Sequence, residues 1–259
     1  MSYLEELFSL ENKVAIVTGA ARGNGKAISE ALLRAGAHVA MVDILEKELR
    51  QTLAEFTQVE NSRATAYVRD IQDTESLKEL VRMIHRHYGK IDILVNNAGI
   101  TLGADILEYP PENWDKTYEV NLKGPYELMK LVAGVMKESS TGSIINVTSL
   151  NAEVAFPGNP AYVAFKGALK QLTKAFALDL GEYGIRANNV GPGYMRTAMT
   201  QKSWDDPEMN QSRKDKTMLG RWGAPEDLAG VVVLLASDAS SYITGQDFYV
   251  DGGWLAKGL

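Results

Sequence analysis

The chain has 259 residues, 45% of them hydrophobic, enough to enclose one large core, and a net charge of −6 with scattered Lys and Arg excludes a basic stripe for nucleic acid or an anionic membrane. It has no cysteine, which excludes disulfides and thiolate catalysis, and its histidines, His38, His85 and His87, form no ligand-spaced cluster, so no metal is expected. The acidic start lacks the pattern of a signal peptide and no stretch reaches the roughly 18 apolar residues of a membrane span, so a soluble, cytoplasmic protein of a single domain is expected.

Val14 to Thr18 is a short β-branched run that leads into the glycine loop Gly19 to Gly25 and then into a helical pattern over Lys26 to Ala35. Strand, glycine loop and helix in that order suit a dinucleotide pyrophosphate, because glycines admit close backbone approach and a helix amino terminus supplies N–H donors. A second strand, His38 to Asp43, ends in a carboxylate that can bond both hydroxyls of an adenosine ribose and repel a 2′-phosphate, which favours NAD over NADP. Arg22 in the loop opposes that preference, since a guanidinium can partner a phosphate. A plain strand-end turn is the other reading of Asp43.

A helix over 46–58, a strand over 64–68 and a helix over 74–88 follow. Asp70 and Ile71 lie where a polar edge and an apolar face could frame an adenine, although a turn aspartate explains Asp70 equally well. A strand over 91–95 runs into Asn96-Asn97-Ala98-Gly99, an irregular turn that can brace strands and floor a cofactor. The β-α alternation implies a parallel, doubly wound α/β sheet. A helix over 112–137 is expected to kink near Asn121 to Pro125, because proline removes a helical hydrogen bond.

The apolar strand over 143–147 ends in hydroxyls, with Ser149 at the edge where open α/β sheets bind ligands. In the helix predicted over 160–182, Tyr162 and Lys166 stand at i and i+4 and share a face. A cation about 5 Å from a phenol favours the phenolate by roughly 3 kcal/mol at an effective dielectric near 20, enough to make tyrosine an acid/base group near neutral pH. An amphipathic tyrosine beside a snorkelling lysine is the bland alternative. After a strand over 185–190 and Gly191-Pro192-Gly193, the segment from Tyr194 to Gly220 is polar, irregular and long, and is read as a substrate lid. It carries Arg196, Lys202, Arg213, Lys214 and Lys216, which could meet a substrate carboxylate, but also Asp205, Asp206, Glu208 and Asp215, so a solvated mixed-charge surface fits as well. A helix from Pro225 to about Ser237 and a strand over 246–250 close the chain.

The motifs Thr18-Gly-Ala-Ala-Arg-Gly-Asn-Gly25, Asn96-Asn-Ala-Gly99, Asn121, Ser149, Tyr162-x-x-x-Lys166 and Pro192-Gly-Tyr-Met-Arg-Thr197 together resemble the short-chain dehydrogenase/reductase family over nearly the whole length. The resemblance implies a seven-stranded Rossmann sheet and NAD(P)-dependent interconversion of an alcohol and a ketone. It makes Tyr162 the acid/base, Ser149 the holder of the substrate oxygen, Lys166 the ribose ligand that depresses the tyrosine pKa, and Asn121 the anchor of a water. Gly19, Arg22, Asn24, Gly25, Asp43, Ile44, Asp70, Ile71, Asn97, Ala98, Gly99, Pro192, Gly193, Met195 and Thr197 would complete the cofactor site, and Asn151 and Tyr194 would join Ser149 and Tyr162 on the substrate. Asn24 departs from the family, which more often has an apolar residue there. The run Arg221-Trp-Gly-Ala-Pro-Glu-Asp-Leu and Asp251-Gly-Gly-Trp-Leu-Ala256 is similar to the sugar-acid branch, gluconate 5-dehydrogenases and deoxygluconate dehydrogenases, with 3-oxoacyl thioester reductases as the alternative. A homotetramer with Trp254 and Leu255 at its contacts is implied as well, with burial in the core the other reading of those two residues.

Overall fold

The computed structural model describes residues 2–57 and 63–257. Its centre is one parallel sheet of β1 (Val14–Thr18), β2 (His38–Asp43), β3 (Ala64–Val68), β4 (Ile93–Asn96), β5 (Gly142–Val147), β6 (Ile185–Pro192) and β7 (Asp247–Val250). Seven strands lie in the order β3-β2-β1-β4-β5-β6-β7, so the winding reverses between β1 and β4, where Ala15 pairs with Ile93 and Val17 with Val95. The helices are α1 (Tyr3–Phe8), α2 (Gly23–Arg34), α3 (Glu46–Phe56), α4 (Thr74–Tyr88), α5 (Pro111–Tyr118), α6 (Gly124–Ser139), α7 (Pro160–Leu180), α8 (Gln201–Asp205), α9 (Pro207–Asp215) and α10 (Ala229–Ala236).

The apolar strands are unbroken because both faces of the sheet are covered. Side chains alternate between faces, so Ala15 and Val17 pack with Ile28 and Leu32 of α2, Leu49 of α3 and Val232 of α10. Val14 and Ile16 face the opposite way, onto Leu80 of α4, Val132 of α6 and Leu169 of α7. Two buried layers therefore hold each strand in register, and a slip by one residue would exchange them. Helix ends follow local chemistry: the Asp73 carboxylate accepts from Glu75 N and Ser76 N at the start of α4, and Gly89 closes it at φ 76°.

Two expectations need correction. The predicted kink is a π-helical turn over Glu119–Lys123, in which Gly124 N donates five residues back to Glu119 O, so the extra residue, not a bare break at Pro125, relieves the ladder. The segment 194–220 is largely helical, with α8, α9 and a short 3-10 turn over Ala198–Thr200, because Asp206 caps α9 through Met209 N and Pro207 starts it. The capped helix α1 was not foreseen, and the predicted end of α3 at 58 lies outside the described residues. Among the described residues no helix is long and apolar enough to cross a membrane.

Candidate active site

The carboxyl ends of β1, β2, β4, β5 and β6 gather most of the predicted residues. At the end of β1, Gly19 adopts φ +66°, and a Cβ there would lie 2.9 Å from the Ala98 Cα; one on Gly25 would lie 2.0 Å from the Gly19 carbonyl oxygen. The glycine loop is therefore pressed against the turn after β4. Asn97 Nδ2 locks the two together by donating to Thr18 O at 3.0 Å and Gly19 O at 3.2 Å. Thr18 Oγ1, which the sequence reading passed over as a strand residue, accepts from Asn97 N at 3.0 Å and Ala98 N at 3.1 Å.

Asp43 Oδ2 accepts from Ala21 N at 2.9 Å and Oδ1 from Leu45 N at 3.0 Å, so the carboxylate is tied to the glycine loop and keeps lone pairs for a hydroxylated ligand. Ile44 beside it is exposed, as is Arg22, which stands at the start of α2. Asn24 turns its side-chain oxygen Oδ1 into buried space without a hydrogen-bond partner. Asp70 folds onto its own turn, accepting from Gln72 N at 2.9 Å, and Ile71 O supports the close approach of Gly124.

Deeper in the site, Asn121 is fully buried and exchanges two hydrogen bonds with Ile100: Oδ1 accepts from its N at 2.9 Å, and Nδ2 donates to its O at 2.8 Å. A Cβ on Gly99 would meet Asn121 Oδ1 at 3.3 Å, a tight contact, and Lys166 Nζ at 3.6 Å, so these two groups face one small space beside the glycine. Lys166 is buried and donates to Val147 O at 2.7 Å. Burial holds its pKa down at about 8. Ser149 Oγ donates to Asn151 Oδ1 at 3.2 Å and accepts from Asn151 N at 3.1 Å, which orients the hydroxyl at the end of β5.

The expectation that Lys166 lowers the Tyr162 pKa is not met by the protein alone. Burial pushes the phenol up, and only the hydrogen bond with Ser149 pulls it down. The physical reason is burial of the phenol; the ammonium lies 5.7 Å from its ring centroid and spends a donor on Val147 O.

A cavity of about 240 Å³ opens here, lined by Asn24, Asn97, Gly99, Ser149, Asn151, Tyr162, Lys166, Pro192, Gly193, Tyr194, Met195 and Thr197. The sequence reading missed Thr101, Phe156, Asn159, Met199, Thr200 and Ser203, which line it too. No local pattern marks them; Thr101 and Asn159 meet only through the fold, with Oγ1 donating to Oδ1 at 2.8 Å. The outer wall is aromatic. Tyr194 stacks on Trp254 at 5.2 Å and meets Phe156 at 5.7 Å and Trp222 at 5.3 Å, so Trp254 packs inside the chain here. The segment's cations stand outside the cavity: Arg196 over Trp204, Arg213 over Tyr194 and Lys216 over Trp254. Among the described residues, no group of His, Asp and Glu could hold a metal ion.

Residues 19–255 match a family model described as Enoyl-(Acyl carrier protein) reductase. The chain is 40% identical to the 3-oxoacyl-[acyl-carrier-protein] reductase of Thermotoga maritima, over 94% of this chain and 98% of that protein. It is 38% identical to the gluconate 5-dehydrogenase of Gluconobacter oxydans, over 96% of each. A solved gluconate 5-dehydrogenase from Burkholderia cenocepacia, crystallised with NADP and tartrate, superposes with a TM-score of 0.94 at 34% identity, covering 99% of this chain and 100% of that one. With the strand order, the glycine cradle and the Asn121, Ser149, Tyr162 and Lys166 cluster on one cavity wall or behind it, these likenesses make the chain a member of the short-chain dehydrogenase/reductase family, an oxidoreductase of CH–OH groups that uses a nicotinamide cofactor.

Proposed function

We propose that the protein is an NAD-dependent dehydrogenase that interconverts a secondary alcohol and a ketone on a sugar acid or polyol. The observation that carries the chemistry is the convergence of Ser149, Tyr162 and Lys166 on one cavity, with Asn121 behind Gly99. The cofactor reading fits the residues present: the Gly19–Gly25 cradle has no room for a Cβ, and the Asn24 amide oxygen is orphaned beside it. Gly19, Asn24 and Gly25 would hold the pyrophosphate, Asp43 and Ile44 the adenosine ribose, and Asp70 and Ile71 the adenine, while Arg22, exposed at the loop, could meet only a phosphate at the rim. Asn97, Ala98, Gly99, Tyr162 and Lys166 would hold the second ribose, and Pro192, Gly193, Met195 and Thr197 the nicotinamide. When bound, the nicotinamide supplies the two-electron acceptor or donor.

Ser149, oriented by Asn151, holds the substrate oxygen, and Tyr162 transfers its proton. Lys166 acts on that proton transfer by its charge and stays mostly protonated at neutral pH, since its pKa is about 8. Asn121, spent on Ile100, fixes the backbone beside Lys166 and carries the water expected there. Support for NAD is Asp43, whose carboxylate is repulsive to a 2′-phosphate at close range; Arg22 and the NADP of the Burkholderia structure pull the other way. Residues 194–220 would cover the substrate, with Tyr194 and Asn151 touching it. Location in the cytoplasm and assembly as a homotetramer belong to the same reading, supported by apolar exposure on α5 and α7 at Trp114, Tyr118 and Leu178; sedimentation tests the assembly.

The test is the initial rate with NAD and NADP across aldonates, uronates, neutral sugars and polyols at mildly alkaline pH. Turnover of an acid or polyol with NAD supports the reading. Silence across the panel, with reduction of a 3-oxoacyl thioester by NADPH, would replace it with the activity of the Thermotoga relative.

A further inference from the structure

The cavity has an electrostatic asymmetry that bears on which end of a substrate sits where. Among the described residues no Asp or Glu lines it, and the one lining cation, Lys166, is buried against Val147 O. An anionic substrate therefore meets no like charge inside, and its countercharge has to come from the wall.

Arg213 of α9 does not line the cavity, but of the segment's ring-stacked cations it is the one over rings that do. Its guanidinium lies 4.5 Å from the Tyr194 ring centroid and 5.8 Å from that of Phe156, and both rings line the cavity. Arg196 and Lys216 instead cover Trp204 and Trp254, which do not line it. Of the neighbouring acids, Asp227 pairs in a fork with Arg221, Asp206 caps α9, Asp205 and Asp215 accept from Gln201 and Gln211, and Glu208 is exposed; none ion-pairs with Arg213 among the described residues. Arg213 has no ion-pair partner among the described residues, and its Nε is buried without a hydrogen bond. A guanidinium can keep its face on an aromatic ring while its edge forks onto a carboxylate.

We propose that Arg213 is the specificity residue that receives the carboxylate of a hydroxy-acid substrate at the Phe156–Tyr194 wall, while Ser149 and Tyr162 hold the reacting hydroxyl; this rests on the sugar-acid form of the function proposed above. The Arg213 charge already acts through that wall, opposing the upward push of burial on the Tyr194 phenol. Neutral polyols would use the same pocket without the anchor.

The experiment compares wild type, Arg213→Met and Arg213→Lys with two substrates: the acid that the wild type turns over best, and the neutral alcohol of the same carbon skeleton. Thermal unfolding and NADH fluorescence titration report fold and cofactor binding independently of turnover. Arg213→Met is expected to lose roughly 10- to 100-fold in kcat/KM for the acid, mainly through KM, the size of a charged hydrogen bond. Its rate on the neutral alcohol and its NADH affinity stay within about threefold, and Arg213→Lys recovers part of the acid activity. Equal losses on both substrates, or no loss on the acid, would overturn the anchor alone. A wild type that turns over no acid would overturn the sugar-acid reading and the anchor together.

Discussion

The two halves of the site are built by different means. The cofactor half is backbone pressed on backbone: a Cβ on Gly25 would sit 2.0 Å from the Gly19 carbonyl, and Thr18 and Asn97 bond the turns together. The substrate half is side chain on side chain, with Tyr194, Trp254, Phe156 and Arg213 stacked from segments far apart in sequence. Close backbone contact tolerates almost no change, so a common ligand can be held the same way on many sequences. A wall of stacked side chains can be re-cut one residue at a time, which suits it to the substrate-choosing role proposed for it.

The largest effect is expected where the halves meet. Tyr162→Phe should lower kcat by about 10²- to 10⁴-fold, while NADH affinity by fluorescence stays within about threefold. Loss of NADH binding instead would put the phenol wholly in the cofactor half. Next is Gly25→Ala, whose added methyl meets main-chain atoms that cannot yield; a loss of about 3 kcal/mol in urea unfolding, with NADH binding abolished, is expected. An alanine that binds NADH normally would mean the cradle is less rigid than its contacts imply.

Lys166 sharpens the comparison through pH. Its folded pKa is about 8 against an ordinary 10.5, so between these values the unfolded chain binds the extra proton and stability rises with pH. Wild type compared with Lys166→Met should gain on the order of 3 kcal/mol over that window, read from urea midpoints at pH 7 to 10.5. A flat difference would mean that the ammonium is solvated. Asn121→Ala removes both hydrogen bonds from the Ile100 main chain and should cost about 2 kcal/mol in the same assay. Smallest is Arg22→Ala: the side chain is exposed, so NAD kinetics should move less than about twofold, and a larger fall with NADP than with NAD would assign it to a 2′-phosphate.

Much of the glycine cradle and its neighbouring turns was legible in the chain because its signals are local. A β-branched run, glycines and a helix in succession, or Asp43 at a strand end, each declare a backbone shape within a few residues. Tyr162 and Lys166 were legible for the same reason, helical spacing. Thr18 was not, since an apolar strand gives no sign that its last hydroxyl will brace a turn reached through β4.

By itself, then, the sequence determined the parallel sheet and singled out the strand ends and the Tyr162–Lys166 pair through periodicity and spacing, while their proposed roles came from the family resemblance. Only the tertiary structure decided the rest. Burial, which no spacing reveals, sets the phenol of Tyr162 high and the amine of Lys166 low. The π-helical turn aims Asn121 at Ile100. Residues 194–220, polar and without period, fold as helices because caps and an aromatic stack from distant segments hold them there, and that packing leaves Arg213, alone of the segment's stacked cations, over the rings that face the cavity.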